Sequence, residues 1–394
     1  MKHPVEIEGL LNEAAKETDQ EDIANLTVDN IKGVGEKTLS ALGNITIREL
    51  SILELDMETM KRLRVKPNVL KTLIAKAKLL TAYADGVDLD PGRIVFAGLD
   101  KAGKTSFILS LQGRYEQELK EKGKIAPTLD AIPQKLKIGG KKVIVWDFGG
   151  QVALRKQYLS NPRHFRHIIL LFYLIDIQDH RRFGTSLEYL QEILQLLKVQ
   201  GENPSLVIVF HKKDPELKVE ETELANREQS LKTDIKNMAQ SFNFSFYSTS
   251  IMDRPTIISA FSSALMSISH VEEPINAILE DIALQQEATV IALASQTGVR
   301  LGKWSNLSWS EYYAFEAAYL TELAKLLFTS SEATKSRSFQ DRNRLPGLIL
   351  ELAFDSPIYL ILGKGKALSS EETQALTQEL GIWVQNLLTG TLNL

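Results

Sequence analysis

The chain has 394 residues, more than one hydrophobic core usually organises, so two to four domains are expected. Its 46 Lys and Arg are nearly balanced by 50 Asp and Glu, and the net charge of −4 argues against a general binder of nucleic acid or anionic membrane. Cysteine is absent, which excludes a disulfide framework and a thiolate metal site and fits a reducing cytosol. The N-terminal stretch MKHPVEIEGL has no apolar signal core, and position 2 is Lys rather than the glycine that myristoylation requires. The longest apolar run, Ile168 to Ile175, is too short to span a bilayer, so no transmembrane segment is expected. The expected location is cytoplasmic, with any membrane association made through partners.

Residues 1–85 are expected to form a compact helical unit. The run Ile31-Lys32-Gly33-Val34-Gly35-Glu36-Lys37-Thr38 places two glycines in a tight turn between short helices. Leu39, Leu42, Ile45, Ile47, Leu50, Ile52 and Leu53 are the candidates for burial between them, and a second helix pair is centred on Val65-Lys66-Pro67. The pattern resembles the helix-hairpin-helix repeat at the N-terminus of archaeal and eukaryotic strand-exchange recombinases. That resemblance implies contact between nucleic-acid phosphates and the backbone N–H groups of Gly33 and Gly35. The charge opposes it: residues 1–90 carry 12 Lys and Arg against 16 Asp and Glu. The local basic run Lys61, Arg62, Arg64, Lys66, Lys71, Lys76 and Lys78 is the ordinary mark of a solvated helix face. Docking of a protein, or a spacer role, is therefore favoured over binding of nucleic acid. Residues 86–92, rich in turn formers, read as a linker.

From residue 93 to 270 apolar runs alternate with helical patterns. Ile94–Ala97, Val143–Trp146, Ile168–Leu174 and Leu206–Phe210 are unbroken apolar stretches, as expected of strands buried on both faces of a parallel sheet. Leu187 to Leu197 repeats leucine and isoleucine at helical spacing. The fold class expected is α/β, a doubly wound, mostly parallel sheet with its ligand at the carboxyl ends of the strands. The first strand runs directly into Gly98-Leu99-Asp100-Lys101-Ala102-Gly103-Lys104-Thr105, followed by Ser106 and the helical spacing of Phe107, Ile108 and Leu111. This is the context of a phosphate-binding loop. Glycines let backbone N–H groups turn inward on phosphates, the helix N-terminus adds partial positive charge, Lys104 reaches the terminal phosphates and Thr105 offers a hydroxyl to Mg2+.

The strand Val143–Trp146 ends in Asp147-Phe148-Gly149-Gly150-Gln151. A carboxylate at that tip is placed to hold Mg2+, Gly150 permits close backbone approach to a terminal phosphate, and Gln151 is positioned to orient an attacking water. The strings GLDKAGKT and WDFGGQ resemble those of the Arf and Rag/Gtr branches of the Ras superfamily, whose members bind GTP and GDP and use Mg2+. The resemblance implies that Gly98 to Ser106 and Gly150 hold the nucleotide. It also implies that Thr128, in Ala126-Pro127-Thr128, is the switch threonine meeting Mg2+ and the terminal phosphate. The catalytic set it implies is Gln151, Lys104 and Thr128, and the metal set is Thr105, Thr128 and Asp147. His211-Lys212-Lys213-Asp214 stands where most Ras-like proteins have Asn-Lys-x-Asp, and its histidine is the Rag form. On this resemblance Asp214 accepts the guanine N–H donors, Lys212 covers the base, and Ser250 and Ile251 of Ser248-Thr-Ser-Ile251 complete the base pocket. The histidine departs from the usual asparagine link to the phosphate loop.

Residues 271–394 are expected to form a third unit. It runs as a helix Glu272–Gln286, strands Thr289–Ala294 and Val299–Trp304 around Gln296-Thr-Gly298, and a helix Ser310–Leu327. A polar segment, strands Leu348–Phe354 and Ile358–Leu362, and a last helix Ser370–Leu388 follow. The order resembles the roadblock domain of Rag/Gtr proteins, which implies a homodimer or a heterodimer through this part. The strands also look too apolar for a sheet with an open edge, an independent reason to expect a partner. Trp304, Trp309 and Trp383 are read as core or dimer-face aromatics.

The reading that follows is a GTPase of the Rag/Arf type, slow on its own and dependent on activating and exchange partners, since no arginine finger is evident in cis. Two others stay open: a nucleic-acid-associated NTPase anchored by the helix-hairpin-helix head, and a nucleotide-binding scaffold without turnover. The acidic balance of the head weighs against the first and the presence of Gln151 against the second.

Overall fold

The computed structural model describes residues 5–8, 10–53, 65–84, 93–138, 141–217, 221–268, 272–328, 336–352, 357–363 and 371–378, with the single positions 59, 63, 369 and 380. The chain divides into two compact units, one of residues 1–90, 269–296 and 300–394, the other of residues 91–268 with 297–299.

The first unit begins with α1 (Val5–Glu8), three short 3-10 turns, α2 (Glu36–Leu42) and α3 (Ile47–Ser51), followed by α4 (Pro67–Ala84). Helix α3 starts with a complete capping box: the Thr46 hydroxyl accepts from the Glu49 backbone N–H and the Glu49 carboxylate accepts from that of Thr46. Leu10, Ile23, Ile31, Ile47, Leu50, Leu70 and Leu80 build the core. The Gly33–Gly35 turn is present, with Gly33 at φ +92 and Gly35 as N-cap of α2. The Lys76 ammonium donates to the Lys32 carbonyl at 2.6 Å. Ile52, expected inside, is 76% exposed, because it lies past the last turn of α3 as its C-cap. Of the anticipated basic run, Lys61, Arg62 and Arg64 lie outside the described residues.

In the second unit, β1 (Arg93–Gly98), α5 (Lys104–Leu111), α6 (Tyr115–Lys122), β2 (Ile132–Ile138), β3 (Lys141–Asp147), α7 (Val152–Ser160) and β4 (Ile168–Asp176) come first. Then follow α8 (Phe183–Gln200), β5 (Ser205–His211), α9 (Glu221–Met238), β6 (Phe244–Thr249) and α10 (Arg254–Ser267). The sheet order is β2-β3-β1-β4-β5-β6, parallel throughout except for β2, which runs antiparallel to β3. Each apolar run singled out above lies in one of its inner strands, and Ile94, Val95, Phe96, Leu170, Phe172, Ile208 and Val209 are fully buried. The order in which strands are added reverses at β1, which pairs in parallel with β3 on one side and β4 on the other, and in such sheets ligands bind at the carboxyl ends of the strands at that point.

The remainder of the first unit consists of α11 (Glu272–Gln285), β7 (Val290–Ser295), β8 (Arg300–Ser305), α12 (Trp309–Phe328), β9 (Ser336–Gln340), β10 (Pro346–Leu352) and β11 (Ile358–Gly363), with residues 371–378 helical. The antiparallel order is β8-β7-β11-β10-β9. Helix α11 packs on β7 and β8 and also against α4, while α12 lies on β9 and β10. Strand β9 falls in the segment read as merely polar, and it pairs along β10 from Ser336 opposite Leu350 to Gln340 opposite Pro346. The edge of β10 is therefore covered from within the chain, which removes one premise of the expectation that a partner must cover it. Trp309, expected in a core or interface, is 78% exposed and stacks on Tyr313 with centroids 5.5 Å apart. Most of the expected last helix, including Trp383, and residues 353–356 between β10 and β11 lie outside the described residues.

Candidate nucleotide site

Strand β1 delivers Gly98 at φ +135, where a Cβ would fall 2.4 Å from the Leu174 carbonyl oxygen of β4. Positive φ recurs at Lys101 and Gly103, so the chain coils tightly before α5 starts at Lys104. The Lys104 ammonium is buried and donates to the carbonyls of Gly98 at 3.0 Å and Leu99 at 2.8 Å. Burial pushes it down to about 8, against the opposing pull of Asp147 and Asp100.

Three expected metal ligands meet at one point. The hydroxyl of Thr105, in the first turn of α5, donates to Asp147 Oδ2 at 2.6 Å, and that of Thr128 donates to the same oxygen at 3.0 Å. The two hydroxyl oxygens lie 2.8 Å apart. Asp147 is buried, which raises its pKa despite hydrogen bonds from both threonines, and its Oδ1 has no hydrogen-bond partner. Hard oxygens, a single carboxylate and an orphaned buried oxygen suit Mg2+, which completes its shell with water and phosphate oxygens. Among the described residues no group of three or more His, Cys, Asp or Glu could hold a metal ion by itself.

Beyond Asp147 the chain lies directly on the loop between β1 and α5. The Asp100 N–H donates to the Gly150 carbonyl at 3.1 Å, and Arg155 Nε donates to it at 3.0 Å. A Cβ on Gly150 would fall 2.2 Å from the Asp100 nitrogen, so this approach needs glycine. Gln151 is the N-cap of α7, and its side-chain Oε1 is buried without a hydrogen-bond partner. A cavity of about 590 Å3 opens here, lined by the loop residues Asp100, Lys101 and Gly103 to Ser106, by Lys124 to Thr128, and by Gly150, Gln151 and Lys212. Its size falls in the range of small-molecule sites.

The residues expected to meet the base gather at the ends of β5 and β6. His211 is buried and its Nδ1 lies 2.7 Å from the Thr249 hydroxyl, while burial pushes the imidazole down to about 4, so it stays neutral. The ring lies against Gly103, so the histidine is linked by packing to the loop between β1 and α5. The Lys212 ammonium pairs with Asp176 at 2.6 Å. The Ser250 hydroxyl donates to Asp214 Oδ1, and Ile251 follows in the turn after β6.

Sequence reasoning missed several neighbours, Arg155 on the Gly150 carbonyl and Asp176 on Lys212 among them. Arg182 pairs with Asp100 at 2.9 Å and donates to its carbonyl at 3.2 Å, and Gln178 reaches both Lys212 and Asp214. Lys124 and Ile125 line the cavity. None belongs to a motif string, and only the fold brings them to the site.

Residues 93–308, more than half of the chain, match the Gtr1/RagA G protein conserved region. Over 119 residues the chain is 34% identical to an ADP-ribosylation factor of Encephalitozoon cuniculi, covering 29% of this chain and 50% of that protein. Over 109 residues it is 30% identical to ADP-ribosylation factor-like protein 3 of Saccharomyces cerevisiae, covering 27% and 54%. The chain thus spans about half the length of these curated relatives. A solved structure of the Arl6 BBS3 small GTPase of Trypanosoma brucei with bound nucleotide analogue GppNp is similar at a TM-score of 0.35 and 19% identity, over 45% of this chain and 96% of that one.

Proposed function

Starting from the chain's membership of the Gtr1/RagA G-protein family, we propose that this GTP-binding switch hydrolyses GTP to GDP and phosphate with Mg2+. The observation that carries the proposal is the meeting of Thr105, Thr128 and Asp147 at one point beside Lys104, with Asp147 Oδ1 left without a partner. Mg2+ held by these three residues would neutralise charge on the phosphate oxygens. Lys104 exchanges its bonds to the Gly98 and Leu99 carbonyls for the terminal phosphates, a stronger, charge-assisted contact. Gln151 turns its amide to the attacking water, whose oxygen bonds to the terminal phosphorus as the bridge to the leaving diphosphate breaks. Thr128 and Gly150 sit on segments that the triphosphate orders and hydrolysis releases.

Arg155 is engaged with the Gly150 carbonyl and Arg182 with Asp100 and Asp179, so the reading has slow intrinsic turnover and relies on activating and exchange partners. The wider organisation proposed is a helix-hairpin-helix head at 1–85, a linker at 86–92, the GTPase domain at 93–270 and a roadblock dimerisation domain at 271–394, in the cytoplasm. The five-stranded antiparallel sheet between α11 and α12 supports the roadblock reading. Light scattering of the full chain at micromolar concentration tests assembly: a mass near 44.1 kDa without a partner rules out the homodimer.

Calorimetry with GTP, GDP and ATP tests the switch. Asp214 accepts from the two N–H donors of guanine, so both guanine nucleotides bind far more tightly than ATP, and Asp214→Asn shifts preference toward xanthine nucleotides. Equal affinity for ATP and GTP would overturn the assignment.

A further inference from the structure

We propose that Gln178 is the residue that aims Asp214 at the base, and so sets how sharply the protein distinguishes guanine from its close analogues. The inference rests on the reading of Asp214 as the guanine acceptor and adds to it a positioning residue from outside the base-recognition motif.

Gln178 follows the end of β4, two residues after Asp176, and its backbone N–H donates to Asp176 Oδ1 at 3.0 Å. From that anchored position its side-chain amide crosses to the neighbouring strand end. Nε2 donates to the Lys212 carbonyl at 2.7 Å and to Asp214 Oδ2 at 3.2 Å. Both partners are pure acceptors when Asp214 is ionised, which fixes the orientation of the amide without appeal to any other contact. Asp176 meanwhile holds the Lys212 ammonium at 2.6 Å. Asp176 and Gln178 thus grip Lys212 by its two ends, and Lys212 needs that grip because it stands at φ +64, a conformation unfavourable for a residue with a side chain.

The consequence for Asp214 follows from its remaining freedom. Ser250 donates to Oδ1 and Gln178 to Oδ2, so each carboxylate oxygen has one fixed donor and spare acceptor capacity for a ligand. Two donors on opposite oxygens set the plane of the carboxylate. Guanine presents N1–H and the 2-amino group side by side, and a carboxylate held in one plane can receive both. With Ser250 alone the group is free to turn about its Cβ–Cγ bond and no longer receives both donors at once, so guanine loses its advantage over a base that offers N1–H alone.

Binding of GDP, IDP and ADP to the full chain and to Gln178→Met tests this, because inosine lacks only the 2-amino group. The parent binds GDP more tightly than IDP by about 10- to 100-fold, the value of one hydrogen bond to a charged group. In Gln178→Met, which keeps length but has no donor, that ratio falls to within about threefold, and any loss from a loosened Lys212 is shared by GDP and IDP and leaves the ratio untouched. Gln178→Glu keeps the shape of the glutamine and replaces the donor with an acceptor facing Asp214, so at pH 8 it loses the ratio as well and serves if the methionine variant does not fold. A merely structural glutamine would weaken GDP and IDP alike, leaving the ratio at the parent's value, and that result overturns the inference while leaving GTP binding in place. A parent that binds ADP as tightly as GDP would instead remove the base reading itself.

Discussion

The imidazole of His211 occupies the space that a side chain on Gly103 would need. A Cβ at Gly103 would fall 2.3 Å from His211 Cδ2 and 2.7 Å from Nε2, and Gly103 stands at φ +96. Gly103→Ala therefore meets two penalties, a left-handed backbone and a clash with a buried ring. GDP affinity is expected to drop by at least about tenfold, each 1.4 kcal/mol of strain being a factor of ten. Adding His211→Ala removes the clash and leaves the backbone strain, so the double variant recovers part of the loss. Calorimetry showing parental affinity in Gly103→Ala would mean that the ring does not sit where it is placed.

The neutrality of His211 predicts a pH dependence of stability. Its folded pKa, pushed by burial to about 4, lies below the unfolded value of about 6.5, so between these values the unfolded chain binds the extra proton. The contribution is full above pH 6.5 and is lost as pH falls through the window, for a total of about 3 kcal/mol. Urea midpoints of the parent should fall more steeply than those of His211→Asn between pH 6.5 and 5. Parallel slopes would show that the imidazole charges freely in the folded protein.

Lys104 gives the opposite limb. Burial holds its free-protein pKa at about 8, and phosphates would keep it charged, so nucleotide binding takes up one proton above that pH. Affinity for GDP should be flat below pH 7.5 and decline by up to about tenfold per unit above pH 8. Lys104→Ala should bind weakly at every pH. Affinity that stays constant to pH 9.5 in the parent would exclude a phosphate contact by this ammonium.

Gln151→Leu should leave GTP affinity within about threefold of the parent, because no phosphate contact is removed, and slow single-turnover hydrolysis by about tenfold or more. Retention of the parental rate would place water activation elsewhere.

Much of the nucleotide unit was legible because its evidence is local. Ile94–Ala97 and Leu206–Phe210 are apolar on both faces, and the glycines at 98, 103 and 150 stand where side chains would collide with Leu174, His211 and Asp100. Strands β2 and β9 were not legible. Lys135 and Lys137 in one, and Ser336, Ser338 and Gln340 in the other, give edge strands the composition of loops. Gln178 and Arg182 were invisible for another reason: they act on residues 34 to 82 positions away, and nothing in QDHRR marks that pairing.

The packing of α4 on α11 has a consequence for synthesis. Between Ala84 and Glu272 the ribosome must make the entire nucleotide unit, on the order of 10–40 s at ordinary translation rates. During that time α4 can already pack on α3 and the Gln20–Asn25 turn, but the side of it that meets α11 has no native cover while the middle of the chain can already fold around its ligand. Chaperone engagement of nascent chains should therefore peak before residue 272 emerges and decline after it. Nascent chains arrested at residue 270 that showed the same amide protection in 70–84 as the released protein would disprove this order of events.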